Sequence, residues 1–142
     1  MQVPEVATNH AEQAIADYRL GACSLGEVIQ HLLPTIVHIP MDRPPIVDEA
    51  GNSHAGESLC LQGDAGEVEL AMVTSYAMFA AMAEEYPQFS RVFADHPLET
   101  VLHYARPDFG FVINPRTDFE LRISAACAQS LRTGSVGASG RG

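Results

Sequence analysis

Lysine and tryptophan are absent from this 142-residue chain. All eight basic residues are arginine, against 18 acidic ones, for a formal charge of −10. So little positive charge argues against a nucleic-acid binder, which needs a basic patch to meet phosphates. It argues equally against docking on an anionic membrane surface. Cysteine is also scarce. Cys23, Cys60 and Cys127 are odd in number and far apart, with no Cys-x-x-Cys pair. They build neither a full disulfide framework nor a zinc site, and are expected as reduced, buried thiols suited to a cytoplasmic setting. No apolar run approaches the ~18 residues of a transmembrane helix. Residues Met1 to Ala16 lack the basic and apolar regions of a secretory signal. The phosphate-binding and nucleophile-elbow motifs are missing too. Gly63 and Gly66 fall in a turn and lack a following lysine.

What is present suits one packed domain. The apolar fraction is 46%, and the length leaves hardly any room for two domains. Ala11, Ala14, Ile15, Tyr18 and Ala22 recur at helical spacing behind a cap at Thr8 or Asn9. Ser24 and Glu27, three apart, read as a capping box opening a second helix that Pro34 stops. The two helices are either separate or one bent rod. Thr35 to Ile39 is β-branched and reads as a strand. Residues 40–57 hold three prolines and two glycines and read as a long loop, with Ile46-Val47 adding a short edge pairing. Ser58 to Gln62 and Glu67 to Val73 form a hairpin in which Val68, Leu70 and Met72 alternate with Glu67, Glu69 and Ala71. That alternation predicts an exposed Glu67/Glu69 face.

Ser75 caps a third helix through about Glu85, with Met78, Phe79 and Met82 as a core stripe. Phe89, Val92 and Phe93 suggest a turn of helix, and Pro97 opens a further helix. Phe109 to Ile113 is a continuous apolar run, expected as a central strand ended by Asn114-Pro115. Phe119, Leu121 and Ile123 alternate as a strand, and a last helix covers 125–132. The Gly/Ser-rich end, residues 134–142, is expected to be a flexible tail.

No catalytic constellation stands out. Glu99 and His103 lie four apart on one helix, and with His96 or Asp95 they outline a metal-dependent hydrolase as the alternative reading. An H-E-x-x-H pattern is missing, and zinc needs three or four ligands. His31 and His38 flank Pro34 on different elements, so no shared site follows. Asn114-Pro115 reads as turn chemistry, while Arg116 either stands exposed or offers a bidentate donor to a partner carboxylate.

Three places carry a family resemblance. A strand ends in proline at Ile36-Val37-His38-Ile39-Pro40. The second hairpin strand runs straight into Thr74-Ser75 and a helix. The most specific is Phe109-Gly110-Phe111-Val112-Ile113-Asn114-Pro115. From about residue 25 to 133, the order of elements resembles the SseB N-terminal-domain family. That resemblance implies an α+β domain of bacterial secretion and protein-interaction systems, without established enzymatic activity, and it supplies no catalytic residues.

The expectation is an α+β fold, with an antiparallel-rich central sheet and packed helices. Residues 1–24 would form a helical extension, 25–133 the domain and 134–142 the tail. The expected role is non-enzymatic binding of a basic protein, as an immunity or inhibitor protein for a basic toxin or as a secretion-associated adaptor. No cofactor, nucleic acid or membrane is expected to take part. The acidic surface would steer such a partner. The expected contact residues are Asp42, Ile46, Val47, Asp48, Glu49 and Glu57 of the loop, with Glu67 and Glu69 of the hairpin.

Overall fold

The computed structural model describes residues 9–54, 56–63 and 66–132. The expected tail, 134–142, lies outside them, as do Asp64 and Ala65 of the hairpin turn. Helix α1, His10–Arg19, starts where the Asn9 side chain accepts the Glu12 N–H, and stops before Gly21, whose φ is +81°. A glycine suits that left-handed position because it has no Cβ to clash. Ser24 and Glu27 form the expected capping box of α2, Leu25–Leu32. The two helices are thus separate. Helix α1 places Ala11 and Ile15 in the same core as Val28, Ile29 and Leu32 of α2.

Helix α3, Tyr76–Glu85, is capped by Ser75 and buries Met78 and Met82, so the methionine stripe is core. Helix α4, Leu98–Tyr104, buries Leu98, Val101 and Leu102. The last helix, α5, spans Ala125–Arg132.

Strand β1, Ile36–Met41, pairs antiparallel with β6, Val92–Pro97. Two short strands, β2 (Ile46–Val47) and β3 (Ser53–His54), close a small hairpin. The largest sheet runs β4-β5-β7-β8, from Cys60–Gln62, Val68–Met72, Gly110–Ile113 and Leu121–Ile123. Bridges from His38 to Val73 and from Met41 to Ser58 tie β1 to this sheet. The architecture is α+β.

One correction concerns the strands. Phe89, Val92 and Phe93 were expected in one turn of helix; Phe89 ends a 3-10 turn that starts at Pro87, while Val92 and Phe93 belong to β6. The run Val-Phe-Ala-Asp-His-Pro has no alternation, and only pairing with the distant β1 makes it a strand. The pairings are otherwise mostly antiparallel, with one parallel pair, β5 and β7, at the centre of the largest sheet. Parallel neighbours require a long crossover, here supplied by α3, a single 3-10 turn at Pro87–Phe89, β6 and α4.

A buried polar cluster fastens α1 to the ends of that parallel pair. Thr74 Oγ1 donates to Glu12 Oε2 at 3.0 Å, and Asn9 Nδ2 donates to the Thr74 carbonyl at 2.8 Å. Asn114 Oδ1 accepts the Thr74 N–H at 3.0 Å, while Asn114 Nδ2 donates to Thr74 Oγ1 at 3.0 Å. Glu12, Thr74 and Asn114 are all buried, so these bonds replace water that the groups have lost. Asn114 holds φ at +53°, a left-handed conformation that asparagine tolerates better than most residues. The Asn-Pro turn chemistry expected from the sequence is therefore part of an interior lock.

Candidate partner-binding surface

Residues 42–57 leave the core as an arm and return to it. At its base, the Asp42 N–H donates to the Glu57 carbonyl at 2.9 Å, and the Glu57 N–H donates to Asp42 Oδ1 at 2.7 Å. Gly56 is wedged there. A Cβ on it would stand 2.4 Å from the Arg43 carbonyl oxygen, so a side chain would force the base apart. At the tip, Asp48 Oδ1 accepts from Ala50 N at 3.0 Å and Asn52 N at 2.9 Å, and Asp48 Oδ2 meets His54 Nε2 at 2.8 Å. The His54 hydrogen bond first, then the Asn52 and Ala50 amides, hold the Asp48 carboxyl below its ordinary range, because each favours the charged form.

This geometry divides the six expected arm residues. Ile46 and Val47 stand 55% and 67% exposed on β2. Glu49 and Glu57 are exposed. Asp42 and Asp48 are exposed as well, yet their oxygens serve the arm's own backbone and the His54 ring. They shape the arm more than they offer acceptors outward.

The hairpin expectation needs correction. Glu67 is exposed, but Glu69 is only 4% exposed. The predicted alternation fails because β5 is the inner strand between β4 and β7, and Glu69 to Met72 are buried consecutively. Inner parallel strands are covered on both faces. Glu69 faces Arg122 of β8 across β7, with Oε1 3.8 Å from Nε, so its charge is turned inward and is no part of a contact face.

Other candidates separate similarly. Glu99 and His103 are exposed on α4, where the His103 ring packs edge-on to Tyr104. Among the described residues, no three His, Cys, Asp or Glu side chains are grouped to hold a metal ion, so His96, Glu99 and His103 do not assemble the ligand set of the hydrolase reading. The expectation of buried thiols is not met: Cys60 is exposed on the short strand β4, and Cys23 and Cys127 are only half-buried. Desolvation raises the Cys23 thiol, with Glu27 and Asp17 adding to it, and burial raises Cys127. Both are therefore poorer nucleophiles than an ordinary cysteine. Arg116, at φ +61°, pairs with Glu85 of its own chain.

One cluster was not anticipated. His38 on β1 and Asp95 on β6 are direct cross-strand partners, with Nδ1 and Oδ1 2.6 Å apart. The His38 ring stacks on Tyr76 at 5.2 Å and meets Phe93 edge-on at 5.1 Å, and Phe79 packs on Phe93. Fifty-seven residues separate His38 from Asp95, so no local motif announces the pair; only the strand register reveals it.

Comparison with protein-family models, with curated proteins and with solved structures finds no match for this chain. Among the described residues no helix is long and apolar enough to cross a membrane.

Proposed function

We propose that this chain is a non-enzymatic, acidic protein-binding module of SseB-like type that captures a basic protein. Its role would be that of an immunity or inhibitor protein for a basic toxin, or of a secretion-associated adaptor. The observation that carries the reading is the arm. It is held at base and tip by its own hydrogen bonds and presents Ile46 and Val47 to solvent, with Glu49 and Glu57 exposed on the same arm. A loop ordered before binding loses less entropy when a partner docks. Apolar anchors inside a charged rim match the anatomy of a protein interface. The net charge of −10 favours encounter with a basic surface.

The test is affinity capture from source-cell lysate by the native chain and by an Ile46→Asp/Val47→Asp variant, with mass spectrometry of what is retained. One basic protein held by the native chain and lost by the variant, with unchanged thermal unfolding, is the expected result. A toxin-like partner supports inhibition, and secretion components support the adaptor role. Equal retention by both chains removes the arm from the interface.

A further inference from the structure

The outer edge of β6 lies between two surface features that the arm does not involve. The phase of the β1–β6 ladder fixes which backbone groups face outward. Leu98 N donates to the Thr35 carbonyl, and His38 exchanges both its backbone bonds with Val73. Alternation then places the ladder bonds at Val37/His96, Ile39/Ala94 and Met41/Val92. The N–H and C=O of Phe93 and Asp95 therefore point away from β1, and no backbone group among the described residues pairs with them. An open edge of this kind is a template for another strand.

The two faces of β6 differ. On one, Phe93 and Asp95 join His38 and Tyr76, a residue 67% exposed. On the other, His96 borders a groove of about 350 Å³ formed with Ile39, Leu70, Val101 and Tyr104. Tyr104 stands 80% exposed beside it. A strand added to β6 would alternate its side chains between these faces. Asp95 Oδ1 is already held by His38 Nδ1 at 2.6 Å and the Tyr76 ring stacks on His38, so a guest cation would meet Asp95 Oδ2 and the exposed part of Tyr76. Towards the groove, it suits an apolar side chain.

We propose that β6 is a strand-addition site for an extended segment of a basic partner, in which cationic and apolar residues alternate. Main-chain hydrogen bonds would supply the pairing, and the two faces the selectivity. This surface is independent of the arm.

A capped seven-residue peptide alternating valine and arginine is the probe, titrated into the full chain and followed by backbone amide chemical shifts. The largest shifts are expected at Phe93 and Asp95, with smaller ones at Thr100 and Tyr104. N-methylating the peptide amides on one edge should abolish binding, while N-methylating the opposite edge should leave it intact. Asp95→Asn should weaken binding about three- to fivefold at low salt, as expected for a half-exposed charge pair. Tyr104→Ala should weaken a valine-bearing peptide more than one carrying alanine in its place. The Ile46→Asp/Val47→Asp variant should bind the probe unchanged, so that failure of the arm and failure of the edge are distinguishable. Shifts away from β6, equal binding of both N-methylated peptides, or a self-dimer protecting the Phe93 and Asp95 amides would each overturn the proposal.

Discussion

In the arm, Asp48 accepts the N–H groups of Ala50 and Asn52; beneath the helices, Asn114 accepts the N–H of Thr74. The chemistry is the same, a short polar side chain satisfying nearby backbone, but the surroundings differ. Asn114 is buried, and its side chain bonds Thr74, 40 positions away, as well as the Phe119 carbonyl. Asp48 is exposed, and its acceptors serve neighbours two to six positions away. Water can replace the Asp48 bonds and cannot readily replace those of Asn114. One set holds the fold together. The other holds a shape on which the fold does not depend.

That contrast can be broken by experiment. Asn114→Ala should have the largest effect, about 3 kcal/mol of lost stability in chemical denaturation, because it strands buried groups of Thr74 and removes an asparagine from a left-handed position. A double-mutant cycle of Glu12→Ala with Thr74→Val should return a coupling of about 1–2 kcal/mol, marking the cluster as one unit. Asp48→Ala should change global stability by less than about 0.5 kcal/mol, while hydrogen exchange speeds up at Ala50 and Asn52. A cost at Asp48 equal to that at Asn114 would erase the distinction.

The smallest effect is a pH response confined to the arm. The folded Asp48 carboxyl lies below its ordinary value of 3.8. A depressed carboxylate contributes order above its unfolded value and loses it as pH falls through the folded value. Amide protection at Ala50 and Asn52 should therefore hold through neutral and mildly acidic pH and fail only below that ordinary value. Loss of protection near neutrality would mean that Asp48 does not hold the tip.

What the sequence made legible was local. The caps at Asn9, Ser24 and Ser75, the hairpin joining β4 to β5, and the helical stripes of Val28, Ile29, Met78 and Met82 depend on neighbours within a few positions, and the structure bears them out. What was hidden depended on distant partners. Strand β6 exists through β1, the parallel pair through the crossover, and the burial of Glu69 through strands on both sides. The contact surface followed the same rule. The arm was visible as a long acidic loop, but the inward duty of Asp42 and Asp48 was not. Nor was the edge of β6, because which amides face outward depends on ladder phase, a property of two strands and not of one.

The lock joining Glu12, Thr74 and Asn114 also has a kinetic meaning. Its bonds span 62 and 40 residues of chain, and closing loops of that length is entropically slow. The arm closes between neighbours, whereas Thr74 and Asn114 meet only across the crossover and Glu12 meets Thr74 only when α1 returns to the sheet. Contacts that form after the folding barrier is crossed are felt mainly in the rate of escape from the native state. A lock closed after the folding barrier would make Glu12→Ala speed unfolding more than it slows folding, the outcome that unfolding and refolding rates would read.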